Sequence, residues 1–174
     1  MKNLFLVLAA SALLAVGCST KIKSTPAGGS AATLERGQKI LIAIPADGTY
    51  AGTSYANSGR EAADRLKAAL ASQASVVMDS QAKADVQAAI KEGQVGGYRY
   101  VVHPEITHWE PRAAAWSGLP TRVVFFVTVY DLKAQGKPIL QRDLNARGRI
   151  WTFKSQYPAD IATVMFSQFA DEVF

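Results

Sequence analysis

Metal-type ligands gather in His103-Pro-Glu105-Ile-Thr-His108-Trp-Glu110, which holds both histidines of the chain. Zinc needs three or four convergent nitrogen, oxygen or sulfur donors. Side chains alternate along a regular strand, so His103 and Glu105 share one face while His108 and Glu110 take the other. Each face then offers two ligands, and no other histidine exists to complete a set, although a bend at Pro104 brings the pairs closer. The segment reads as a polar strand face running into a loop, with no metal and no cofactor.

Other reaction chemistry finds less support. A nucleophile elbow of the form G-x-S-x-G is missing, and Ser58-Gly59 and Ser117-Gly118 read as a helix cap and a loop. Asp171 and Glu172 are neighbours on a terminal helix and point apart. Cys18 is the sole cysteine in 174 residues, so an intrachain disulfide is impossible. The expectation is a chain without catalytic residues, not an enzyme.

Cys18 has a different chemistry open to it. Met1 and Lys2 precede an apolar stretch from Leu4 to Val16, and Gly17-Cys18-Ser19 follows. A basic start, about a dozen apolar residues and a small residue at the cut make a secretory signal. The stretch is too short for a bilayer core, which takes about 20 apolar residues. Leu14-Ala15-Val16-Gly17-Cys18 resembles the lipobox of bacterial lipoproteins, with Ala15 where Leu is usual. The resemblance implies cleavage before Cys18, a diacylglyceryl group on its sulfur and acylation of its amine. Several chains anchor stably where one binds only marginally. Ser19 is not the Asp that favours inner-membrane retention, which puts the expected anchor at the periplasmic face of the outer membrane.

Residues 1–17 are thus expected to be a signal peptide, residues 18–37 the lipidated cysteine with a flexible tether, and residues 38–174 one envelope domain. The tether reading rests on STKIKSTPAGGSAATLERG, which is small, polar and punctuated by Gly and Pro. Such a chain has an end-to-end distance on the order of 25 Å. Removing the signal leaves 157 residues, enough for one core. The formal charge of +5 loses one with Lys2, leaving +4. That surplus is too modest for a nucleic-acid partner, although Arg142, Arg147 and Arg149 offer some attraction for an anionic polymer.

Hydrophobic periodicity sets the expected elements of the domain. Lys39 to Pro45 is an apolar run suited to a strand buried on both faces. Ser58 and Glu61 form a capping box ahead of Ala62, Leu66, Ala69 and Leu70 at helical spacing. Ser75 to Met78 is a brief strand; Asp79 or Ser80 caps a second helix that stops at Gly93. Tyr98 to His108 alternates, Arg122 to Leu132 is apolar on both faces in its first half, and Ala134 to Lys137 is a hairpin turn into Pro138 to Phe153. Ile161, Val164, Met165, Phe169 and Val173 stripe a final helix. The fold class is α/β (α+β): a single domain of order βαβαβββα, with helices on a mixed β-sheet of about five strands.

That order behind a lipobox, with Pro104-Glu105-Ile106 in a strand and Tyr130-Asp131-Leu132 before a Gly turn, resembles a group of envelope lipoprotein domains. They include the TolB amino-terminal domain, the curli-secretion lipoprotein and the lipoprotein activators of cell-wall synthases. The chain is also similar to an uncharacterised, pseudomonad-type proteobacterial lipoprotein family without an assigned activity. The resemblance implies a lipid-anchored, non-enzymatic adaptor or scaffold that binds an envelope protein in the periplasm. Trp116, Arg112 and Leu119, in a connection longer than a tight hairpin needs, are the candidate contact residues, Trp and Arg being types enriched at interface hot spots; the other reading is that Trp116 folds back over a sheet edge as a local plug. The alternative is a peptidoglycan-binding module. Asp47 to Leu66 is similar to the OmpA-like domain, in which an Asp and an Arg hold a diaminopimelate group, and Asp47 and Arg60 are the residues in question. The spacing after Asn57 departs from that pattern, with Glu61 and Asp64 at the key offsets. A metal-dependent enzyme is a distant third.

Overall fold

The computed structural model describes residues 20–29, 32–111, 119–148 and 156–174. The expected signal segment, Cys18, Arg112, Trp116 and Arg149 lie outside the described residues.

Eight strands and three helices follow one another along the described chain. They are β1 (Lys21–Gly29), β2 (Lys39–Ile44), β3 (Thr49–Tyr50), β4 (Thr53–Ser54), α1 (Ser58–Leu70), β5 (Val76–Lys83), α2 (Val86–Val95), β6 (Tyr100–Glu110), β7 (Arg122–Asp131), β8 (Lys137–Arg147) and α3 (Pro158–Val173). Six strands form one mixed sheet in the order β1-β8-β7-β6-β2-β5, and β3 and β4 make a separate small hairpin. β2 runs parallel to both β5 and β6. The remaining pairs are antiparallel.

The sixth strand is β1, and it lies inside the segment expected to be a tether. Lys21–Gly29 pairs antiparallel with β8 along its length, with a register shift between Pro26 and Gly28. Pro has no N–H to give a ladder, so it is tolerated at an edge and at a bulge, and β1 offers both. β8 supplies the pairing that the composition of the segment does not foretell.

One face of the sheet carries the main core. Ile40, Ile42, Tyr100, Val102, Trp109, Val123, Phe125, Val127, Leu140 and Leu144 point into it and meet Leu66 and Leu70 of α1 and Ile161, Met165, Phe166 and Phe169 of α3. Phe125 stacks on Phe166 with centroids 4.6 Å apart, and Trp109 meets Phe125 edge-on at 6.3 Å. The other face has a smaller core, in which Leu41, Ala43 and Val101 pack against Ala89 and Ile90 of α2.

The helix ends differ from the expected ones. Asn57 occupies the N-cap position of α1 with φ of 69° and makes no side-chain cap hydrogen bond. Ser58 sits inside the helix, donates its hydroxyl to the Tyr55 carbonyl (2.6 Å) and accepts the Gly48 amide (2.8 Å). It thereby ties the loop after β2 to the helix instead of forming a capping box with Glu61. Asp79 and Ser80 lie within β5, which runs on to Lys83, and Asp85 caps α2 by accepting the Ala88 amide at 3.0 Å. Gly93 is interior to α2 because its bare Cα faces Leu132 and Val101, where an added Cβ would come within 2.8 and 3.0 Å. The helix ends at Gly96.

Candidate functional site

α2 covers part of the second sheet face, reaching Val101 of β6 and Tyr130 of β7, and no described helix covers the rest of the antiparallel half built by β6, β7, β8 and β1. Cross-strand partners share a face, so the register lists that surface row by row. Nearest the start of β1, Lys21 faces Arg147, which faces Arg122, which faces Glu110. The next row pointing the same way is Lys23, Asn145, Val124 and His108, and the one beyond it Thr25, Asp143, Phe126 and Glu105. Gln141, Thr128 and His103 follow. The rows between them, such as Ile22, Ala146, Val123 and Trp109, belong to the core.

This register corrects the placement of the metal-type ligands. β6 shifts register between Ile106 and His108, so one extra residue, Thr107, is accommodated in it. A bulge of one residue inverts the side-chain alternation beyond it. His103, Glu105, His108 and Glu110 therefore all lie on the open face, not two on each. They remain strung along the strand, with His103 and His108 on the order of 15 Å apart. Among the described residues no group of three or more His, Cys, Asp or Glu is placed to hold a metal. His108 Nε2 instead lies 2.8 Å from Glu110 Oε2, and Tyr50 of β3 meets the His108 ring edge-on at 5.4 Å. Burial holds the His103 imidazole below its ordinary pKa, and nearby Glu105 opposes that shift. Burial likewise pushes the Tyr130 hydroxyl up, so both groups stay neutral near pH 7.

Asp47 and Arg60 take separate partners. Asp47 accepts the Gly59 amide at 2.9 Å and lies 3.7 Å from Lys83, whereas Arg60 pairs with Asp79 at 3.0 Å. Both side chains thus tie α1 to neighbouring segments. Leu119 is 55% exposed and borders a cavity of about 170 Å³ with Glu110, Pro120, Arg122 and Arg147. At the opposite end of the sheet, a cavity of about 340 Å³ is lined by Lys39, Arg99 and Lys133 among others. Arg99 is already paired with Asp131 and Glu35 and lies over the Tyr100 ring, which makes it a brace between strands.

The open face was missed as a unit, although its alternation is written in Lys21-x-Lys23-x-Thr25 and Gln141-x-Asp143-x-Asn145-x-Arg147. The three arginines singled out for anionic polymers divide. Arg147 is on the open face, Arg142 stands in the row of Val127 on the other side, and Arg149 is outside the described residues.

The fold and this face define a small α+β domain with helices packed over one side of a mixed sheet and, among the described residues, a single helix covering part of the other side. The chain belongs to the family described as Domain of unknown function (DUF4823), whose model matches residues 32–173. Its fold is similar to that of the PelC dodecamer from Paraburkholderia phytofirmans, with a TM-score of 0.65 at 17% identity over 89% of this chain and 97% of that one. It is also similar to protein XCC0632 from Xanthomonas campestris, with a TM-score of 0.52 at 11% identity over 82% and 87% of the two chains. Lipoprotein GNA1162 from Neisseria meningitidis shares it with a TM-score of 0.52 at 14% identity, over 78% of this chain and 97% of that one. No curated protein matches the chain in sequence.

Proposed function

We propose that this chain is a lipid-anchored, non-enzymatic adaptor of the cell envelope, held by Cys18 in the outer membrane at its periplasmic face. Its open sheet face binds a protein partner. The observation that carries the reading is the row Glu105, Phe126, Asp143. A half-buried aromatic ring stands between two carboxylates on a face that no described helix covers. An aromatic ring rimmed by charged groups has the anatomy of an interface contact. The complementary partner presents an apolar contact for Phe126 flanked by cations for Glu105 and Asp143. Leu119, at the border of the same face, extends the surface. The lipobox-like segment before Cys18 and a fold shared with a lipoprotein, GNA1162, support the envelope setting.

Two measurements test it. Cys18→Ala abolishes palmitate incorporation, since no other thiol exists to carry the lipid; normal labelling of the variant overturns the anchor. A photo-crosslinking residue placed at Phe126 in cells captures a discrete product, whereas the same group at Val164, exposed on α3, does not. Equal capture from both positions overturns the interface. A product at a multiple of the chain's own mass identifies a second copy as the occupant, an arrangement for which the dodecameric PelC offers a precedent of fold.

A further inference from the structure

The structure puts an ordered strand where a spacer was expected, and this changes what the anchor does. β1 begins at Lys21, three residues after Cys18. Three extended residues span about 10 Å, close to the Debye length of about 8 Å at physiological salt. A chain held in a leaflet by Cys18 therefore keeps the start of β1 beside the headgroups. The domain does not stand off on a long leash.

What β1 brings to that position is charge. Lys21, Arg147 and Arg122 are consecutive partners across β1, β8 and β7, and Lys23 lies one row further on the same face. Lys21, Lys23 and Arg147 are exposed, and Arg122 is half-buried. Among the described residues none of the four has an ion-pair partner. Glu110 is the one carboxylate in the row, and it is buried against His108. Asp143 and Glu105 stand four residues along from Lys21 in register. That is about 13 Å from Lys21, beyond the Debye length, and about 7 Å from the Lys23 row, within it. The face is thus graded from cationic beside the anchor to acidic and aromatic away from it.

We propose that Lys21, Lys23, Arg122 and Arg147 form a headgroup dock that lays the anchor-proximal end of the sheet on the anionic phospholipids of the leaflet holding Cys18. The proposal rests on the lipid-anchor reading above. Clustered lysines and arginines beside an anchor are drawn to a negatively charged surface, and the attraction is confined to about a Debye length. The dock fixes the direction of the domain, with the Glu105–Phe126–Asp143 row turned towards the periplasm.

The test is lysine footprinting of the full palmitoylated protein in vesicles, read by mass spectrometry. One set of vesicles is pure phosphatidylcholine and the other carries 30 mol% phosphatidylglycerol. Lys133 and Lys137, at the far end of the sheet, serve as internal references. In the anionic vesicles Lys21 and Lys23 are acylated about threefold more slowly, the factor by which a surface potential of about −30 mV depletes neutral amine. Lys133 and Lys137 keep their rates. Arg122→Gln/Arg147→Gln, and Arg147→Gln alone at its exposed position, return Lys21 and Lys23 towards the neutral-vesicle rate, while unchanged reference rates report an intact fold. Equal rates in both vesicles overturn the dock. Slowing that survives in the variants also overturns it, because the lysines are then merely near the surface. Slowing by isolated sacculi in detergent but not by vesicles reassigns the row to a wall polymer. A protein that carries no palmitate and fails to float with vesicles brings down the anchor reading, and the dock with it.

Discussion

Asp47 accepts the backbone amide of Gly59 at 2.9 Å, so the first turn of α1 is capped from twelve residues upstream. The helix can approach that closely because residue 59 is glycine. An added Cβ there would lie 2.3 Å from the Pro45 carbonyl oxygen. Loss of a cap costs about 1 kcal/mol, and overpacking a fixed backbone contact about 1–3 kcal/mol. Asp47→Ala should lower the melting temperature, and Gly59→Ala should lower it further. Sedimentation of Asp47→Ala with purified sacculi also separates the alternative: a wall-binding Asp47 loses sedimentation, whereas a capping Asp47 loses only stability.

Phe125 and Phe169 are both fully buried in the core between the sheet and α3. Truncating either to Ala leaves a cavity worth about 3–5 kcal/mol. Chemical denaturation should show each variant destabilised by that amount. Unchanged midpoints in both would contradict the packing of α3 on β7 and β8.

His103 gives the fold a pH dependence of defined sign. Burial depresses its pKa in the folded chain, so the unfolded chain binds the proton more readily, at about 6.5. Stability is then full above that value and falls as the pH drops through about 6.5 towards the depressed folded value. His103→Gln should flatten the loss measured between pH 7 and 5. An unchanged slope would show that other groups carry it.

Much of the fold was legible because burial writes periodicity. Arg122 to Leu132 reads as a central strand, and Ile161, Met165, Phe169 and Val173 of the expected helix stripe do fill the core, whereas Val164, read with them, is exposed. The open face was harder. Its geometry depends on the bulge around Thr107, and a single extra residue in a pairing leaves no mark in composition. β1 was illegible for a related reason: Lys21–Gly29 has weak strand character of its own, and it is Asn145, Leu144 and their neighbours on β8 that hold it. Asp79 and Ser80 look like helix caps, but tertiary partners claim them. Asp79 takes Arg60 and Lys67, and the Ser80 hydroxyl donates to Glu92 at 2.6 Å.

The antiparallel seam between β1 and β8 also decides how the domain bears load. Its hydrogen bonds run perpendicular to the strands. Tension applied at Lys21 along β1 is therefore a shear that stretches the rungs from Lys21–Arg147 to Gly29–Leu140 together. Tension across the strand would instead peel them one after another. Lys21, where β1 begins, is thus the end of a lap joint, strong against pulling in line and weak against prying.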